Sequence, residues 1–313
     1  MANMTTGTNA NLLQDVFLAK RFVEALRRDL VVAKLGRRED APRHSGKKAR
    51  WQFFANPVAA TTALSEGQDP TSPTSLATSI AEATISEYGA YFEPAQLFLS
   101  TAAMGTKAEL VDAAAYQAAL TIDTLCYSQS LNDATNTGTS AGMTAELVRA
   151  DVATLYGLDA KPHPSTPGGA FFAGVMHPEA LFDMMGEGTD FGTTSAQAPT
   201  WERAKMTSGG MPGAIGIPGS GNQNATIYGV YITTTTNVSA SASSRHDNYI
   251  IGKDAFGVTS IDGDYLSPRV IITDPEQRVD KPLRNSGTIG WHVSFASEMI
   301  DANRFTEQQT TDT

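Results

Sequence analysis

Apolar positions return at helical spacing over some stretches of this chain and alternate over others, and their order predicts its elements. Over residues 15–30, Val16, Ala19, Val23, Leu26 and Leu30 recur at three- and four-residue steps, one face of a helix that Asp15 is placed to cap. Residues 1–11 ahead of it are small, polar and aperiodic, and read as an extended arm. Gly36, Pro42 and Gly46 punctuate a polar connection. Residues 47–54 alternate like a strand, with Trp51 and Phe53 facing one way and Lys48, Arg50 and Gln52 the other. The next strand is predicted over about 78–92. Between the two, residues 55–77 are rich in Thr, Ser, Pro and Gly, and so long an excursion is uncommon inside a compact domain. The pattern predicts a two-stranded arm leaving the body. A lone hairpin is only marginally stable in water, so a neighbouring subunit is expected to order it.

Residues 105–133 are Ala-rich and free of internal Gly and Pro, with Leu110, Val111, Ala114, Ala118, Ile122 and Leu125 on one stripe: a long spine helix. Beyond the polar residues 132–142 the elements alternate in type. A helix is predicted over 144–156, a strand over 170–176, and a short helix opened by His177-Pro178-Glu179 and ended by Gly186. Residues 187–223 form a Gly-rich excursion. Strands follow over 226–234, 248–251 and 269–273, and an extended segment over 288–299, carrying Trp291 toward the core, must find a partner strand. The mixture is α+β, with a mixed or antiparallel sheet.

With 313 residues, 41% of them hydrophobic, the chain can bury one or two sizeable cores. No apolar run approaches the ~20 residues that span a bilayer, and no signal segment opens the chain, so a soluble, non-secreted protein with no membrane contact is expected. A single cysteine, Cys126, excludes a disulfide framework and reads as a buried structural thiol; Asn3, Asn224 and Asn237 match the glycosylation pattern by chance. Residues 20–50 hold 11 of the 23 Lys and Arg against Glu24, Asp29, Glu39 and Asp40, a local charge of +7 in a chain of net charge −10. Residues 51–106 have no Lys or Arg, while Glu66, Asp69, Glu82, Glu87 and Glu93 accumulate. Lys20, Arg21, Arg27 and Arg28 are either a solvated helix face or one half of a contact between oppositely charged surfaces of two copies. Net acidity argues against a dedicated nucleic-acid binder.

Chemistry-bearing motifs are weak. His44, His163, His177, His246 and His292 show no metal spacing, and His177 reads as a helix cap. The glycines around Met211 and Ser220 lack the ending of a phosphate loop and the residues of a nucleophile elbow. Asp262-Gly263-Asp264 reads as a turn rather than a calcium loop. No catalytic residue, metal or cofactor is expected. Two arms and a spine helix suit a structural protein that assembles with copies of itself.

The order of segments resembles the major capsid proteins of tailed bacteriophages, whose shell fold herpesvirus capsids share, and within them the N4-like phage family. The stretches that carry the resemblance are Ser45-Gly46-Lys47-Lys48-Ala49-Arg50-Trp51 with Thr61-Thr62-Ala63-Leu64-Ser65-Glu66-Gly67, and Glu87-Tyr88-Gly89-Ala90-Tyr91. His177-Pro178-Glu179, Tyr228-Gly229-Val230, Gly252-Lys253-Asp254-Ala255-Phe256-Gly257, Gly290-Trp291-His292-Val293 and Asp301-Ala302-Asn303-Arg304 continue it. The resemblance implies an N-terminal arm (1–45), an extended loop (46–92), a peripheral domain on the spine helix (93–140), an axial domain (141–280) and a C-terminal segment (281–313) returning to the peripheral domain. It also implies hexamers and pentamers forming an icosahedral shell around double-stranded DNA, within a virion assembled in the host cytoplasm. A separate scaffolding protein, a portal and a decoration protein are the implied partners. A tail-tube or other virion protein is the rival reading, but it would not need the spine helix.

On this basis Trp51 and Phe53 are expected to anchor the extended loop on a neighbour, Arg50 and the acidic Glu66, Asp69 and Glu87 to align it, and Lys48 to share in that contact. Arg27 and Arg28 are expected to pair with acidic surface on the next subunit.

Overall fold

The computed structural model describes residues 6–44, 46–54, 57–63, 66–67, 75–101, 106–131, 137–140, 142–186, 224–238, 245–275, 283 and 285–311, without the side chains of 6–16, 28, 100, 106, 137, 185, 186, 224–226 and 311. The chain opens with α1 (Thr6–Asp29) and a two-residue strand β1 (Arg37–Arg38), followed by β2 (Lys48–Phe54), β3 (Thr78–Thr84) and β4 (Ser86–Phe92). Next come α2 (Gln96–Thr101), α3 (Thr106–Cys126), β5 (Thr137–Ser140), α4 (Ala145–Gly157), β6 (Phe172–Met176) and α5 (Pro178–Gly186). The remaining strands are β7 (Asn224–Ile227), β8 (Val230–Thr234), β9 (Arg245–Ile251), β10 (Phe256–Thr259), β11 (Arg269–Thr273), β12 (Thr288–Met299) and β13 (Phe305–Thr311).

Strand β12 is the hub of a five-stranded sheet. It runs antiparallel to β11 over 288–292, to β4 over 289–295 and to β10 over 296–299, and β1 adds parallel to β10. A six-stranded mixed sheet has the order β5-β13-β9-β6-β8-β7. β2 and β3 form a separate antiparallel ribbon. All five residues of β6 are buried because both faces of that sheet are covered. Phe172 and Met176 join a core with Val148, Leu155 and Leu181 of α4 and α5, while Ala173 and Val175, pointing the other way, join the core built around α3.

The spine helix is the Ala-rich stretch. Its 21 residues continue as a five-residue π-turn, Tyr127–Leu131, for a length of about 40 Å at 1.5 Å per residue. Val111, Ala114, Ala118 and Ile122 are fully buried, with Leu110 and Leu125 half-buried at the edges of the stripe; Trp291 is buried in the same core. Tyr127 stacks on Tyr249 of β9 at 5.6 Å between centroids, so the end of the spine touches the second sheet while its body packs on the first. Cys126 is a buried free thiol whose pKa burial pushes well up, which removes it as a nucleophile.

Several expectations need correction. Helix α1 begins at Thr6, so residues 6–11 are helical and Asp15 lies inside the helix rather than at its cap. Leu26 and, just past the helix, Leu30 are buried as the stripe predicts, but Ala19 and Val23 are only half-buried and Leu18, Phe22 and Ala25 complete the face that packs along α3. The strand predicted over 78–92 breaks at buried Ile85 into β3 and β4, which join different sheets. Residues 226–234 are not one strand: Tyr228 and Gly229, both at positive φ, turn β7 into β8 as a two-residue hairpin loop requires. β10 and β11 belong to the β12 sheet and β13 to the six-stranded sheet. Asp262-Gly263 is a turn with positive φ at both residues, as expected.

Candidate functional site

The feature that stands out is the β2–β3 ribbon. Its register pairs Lys48 with Thr84, Arg50 with Glu82, Gln52 with Ile80 and Phe54 with Thr78 on one face, and Ala49 with Ala83, Trp51 with Ala81 and Phe53 with Ser79 on the other. Strand alternation gives the two faces opposite fates. The inner face packs on the body: Trp51 is fully buried with Ala49, Ala81, Ala83, Ile85, Ala296 and Ile300, and Phe53 sits half-buried against the same cluster. Gly257 of β10 makes room for the indole. Trp51 Nε1 has no hydrogen-bond acceptor among the described residues, so apolar contact must outweigh an unsatisfied donor.

The outer face is polar near the base and apolar further out. Glu82 Oε2 accepts from Arg50 Nε at 2.6 Å and its other oxygen accepts from Lys48 Nζ; these two bonds hold the Glu82 pKa below its ordinary value. Beyond them Phe54 (62% exposed) and Ile80 (61%) lie open, as do Val58 and Leu76 of the excursion. A second open region surrounds a groove on the β4–β12–β11 face, lined by Gly89, Tyr91, Ile271, Gly290 and Trp291. Tyr91 and Ile271 are exposed there, and Leu97, Phe98 and Leu283 add further exposed apolar surface to the molecule. Apolar patches of this kind mark contact surfaces.

This geometry revises the contact residues expected from sequence. Trp51 is committed to its own subunit and is not available to a neighbour. Lys48 and Arg50 engage Glu82 within the ribbon. Glu66 is exposed at a turn with Gly67, and Asp69 lies outside the described residues. Glu87 is exposed on β4, opposite Ser294 of β12, and so belongs to the body rather than to the ribbon. Arg27 donates to Leu266 O and Ser267 Oγ, both at 3.1 Å, and Arg21 forms a two-bond pair with Asp112 of α3 at 2.8 and 2.6 Å. Much of the basic stretch is therefore internal bracing; the Arg28 side chain lies outside the described residues.

Sequence reading missed Asp123. It lies on the buried side of α3, where its carboxylate accepts from the backbone N–H groups of Val31, Val32 and Ala33 at 2.9–3.1 Å and so ends α1 against the spine. Burial raises its pKa to about 6 despite those three bonds. The signal was present: an acid next to Ile122 and three residues before Cys126 falls on an otherwise apolar face.

His177 does cap α5, its Nδ1 accepting the Glu179 N–H at 3.4 Å. The fold also brings His246 of β9 to it, with the two rings stacked at 3.6 Å and Glu179 beside both. No sequence spacing signals this grouping, because β9 reaches β6 only through the sheet. Among the described residues no helix is long and apolar enough to cross a membrane.

Compared with known proteins, the chain matches no protein-family model and no curated protein sequence. Solved structures do match. One of the capsid of Ralstonia phage GP4 superposes with a TM-score of 0.64 at 12% identity, over 89% of this chain and 87% of that one. The chain has the phage major-capsid fold. The head structure of Helicobacter pylori bacteriophage KHP40 matches with a TM-score of 0.59 at 11% identity, over 87% of this chain and 88% of that chain. The mature capsid of bacteriophage PhiM1 gives 0.55 at 12% identity, over 89% and 86%.

Proposed function

We propose that this chain is the major capsid protein of a tailed phage, a structural subunit without catalytic function. It assembles as hexamers and pentamers into an icosahedral shell that encloses double-stranded DNA without reading its sequence. The observation that carries this reading is that nearly the whole chain, and not one domain of it, follows the capsid fold. The ribbon adds a physical reason: its inner face is fixed to its own subunit through Trp51, while Phe54 and Ile80 face outward. An outward apolar strip on a thin projection gains area when a second copy covers it. Within the family, the N4-like branch is proposed on the sequence stretches quoted above. A scaffolding protein, a portal and a decoration protein are the proposed partners, with the virion as destination and the host cytoplasm as the place of assembly.

Electron microscopy of the purified protein, produced alone and with the genes that neighbour it, tests this. Icosahedral shells or capsomer-sized rings are the expected result. A monodisperse monomer or dimer under both conditions would overturn the reading, and rings stacked into tubes would move it to a tail component.

A further inference from the structure

The His177–Glu179–His246 group is not used by the capsid reading. His177 follows β6 directly, Glu179 stands in the first turn of α5, and His246 lies on β9, the strand beside β6. One ligand-capable atom from each lies within 4.8 Å of the other two. Glu179 Oε2 is 3.6 Å from His177 Nδ1 and 3.4 Å from His246 Nε2. Two ligands bound tetrahedrally at about 2.0–2.1 Å from zinc stand about 3.4 Å apart, so both separations are already close to an edge of such a tetrahedron. The rings are nearly parallel, 10° between planes. Holding one ion between them therefore requires one ring to turn about its Cβ–Cγ bond and leave the stack.

The surroundings fix the backbone of the site. The His177 main-chain N–H donates to Asn248 Oδ1 at 2.9 Å, and the buried Asn248 amide donates in turn to Gln308 O at 3.2 Å and Thr310 Oγ1 at 3.0 Å on β13. The two histidine side chains are 14% and 21% exposed and Glu179 is 59% exposed, so the group is sheltered on one side and open to solvent on the carboxylate side.

We propose that His177, Glu179 and His246 form a mononuclear site for a divalent cation of the zinc class. Two imidazole nitrogens and one carboxylate oxygen suit zinc and its transition-metal neighbours, whereas magnesium and calcium favour oxygen alone. The fourth position, on the solvent side, takes water. The ion ties the start of α5 to β9 within one folded chain, so this inference goes beyond the capsid reading and does not depend on assembly.

The experiment uses the purified full chain, stripped with a chelator, in equilibrium dialysis against Zn2+ alone with metal analysis of the retained protein. One zinc per chain is expected, with a tetrahedral visible spectrum when Co2+ replaces it and a rise in thermal midpoint on adding Zn2+. Glu179→Gln and His246→Gln should each weaken zinc binding at least about tenfold, while His292→Gln, on the other sheet, should not. Circular dichroism of the metal-free variants checks that each is folded, and Glu179→Gln is the safer of the two because the side chain is exposed. Absence of saturable zinc binding to the parent chain overturns the proposal, as does zinc binding by both folded variants with undiminished affinity. Either result leaves the capsid reading untouched, since shells are scored separately.

Discussion

A Cβ built on Gly257 would lie 2.4 Å from Cε2 of Trp51, so the indole occupies the space that any other residue at position 257 would fill. Strand β10, which carries Gly257, pairs with the end of β12 and contributes to the main core, whereas Trp51 belongs to the ribbon. This contact, together with Ala296 and Ile300 packed on the same face, joins the ribbon to the sheet beneath it.

Adding a methyl group at this contact should strain it. Gly257→Ala is expected to cost about 1–3 kcal/mol in urea unfolding, the usual penalty of overpacking. Combining it with Trp51→Leu should recover part of that cost, seen as a favourable coupling in a double-mutant cycle. Additive costs would show that the two positions do not share space.

Removal of the indole is the complementary change. Trp51→Ala should destabilise the folded chain by about 3–5 kcal/mol, as large-to-small changes at fully buried aromatics do. Unchanged unfolding midpoints, with defects confined to particle formation, would instead return Trp51 to the surface role expected from sequence.

The outer face of the ribbon should behave in the opposite way. Phe54→Ser with Ile80→Ser is expected to change monomer stability by less than about 0.5 kcal/mol per site, because both side chains are exposed. Shell yield by electron microscopy should fall sharply. Normal shells from the double variant would remove this face from the assembly contacts.

Stability should depend on pH through Asp123. Its pKa in the folded chain, about 6, lies above the ordinary carboxylate value, so between roughly pH 4 and 6 the folded state holds a proton that the unfolded state has released. That contribution is fully present at low pH and is lost as pH rises through 6, by on the order of 3 kcal/mol. The stability difference between parent chain and Asp123→Asn, measured at pH 4.5 and 7.5, should shift in favour of the parent at the lower pH. His163 works in the other direction. Burial holds its pKa below the ordinary value while its Nε2–H donates to Leu35 O at 2.7 Å, so its contribution is present at neutral pH and lost on acidification. A flat difference between the parent chain and Asp123→Asn would show that Asp123 does not titrate in this range.

Much of the fold was legible in local pattern. The spine stripe, the alternation in β2, helix α4, the Pro178 start of α5 and the long strand β12 are set by spacing and backbone chemistry within a few residues of each other. The candidate surface was legible in part: the ribbon was expected as an arm, but its anchor was assigned to the wrong partner. Alternation shows that Trp51 and Lys48 point to opposite sides of a strand, and it carries no information about which side another part of the chain will cover.

The chain by itself thus determined the kinds of element, their order and which faces are apolar, because helical and strand periods are local properties of the backbone. Tertiary structure alone decided what each face meets. It placed Gly257 under Trp51, gave Asp123 three backbone donors from the end of α1, split residues 78–92 between two sheets at Ile85, and brought His246 to His177. Each of these joins residues far apart in sequence, and such contacts form only when sheets and helices pack, where the fit of side chains across the gap selects the partner.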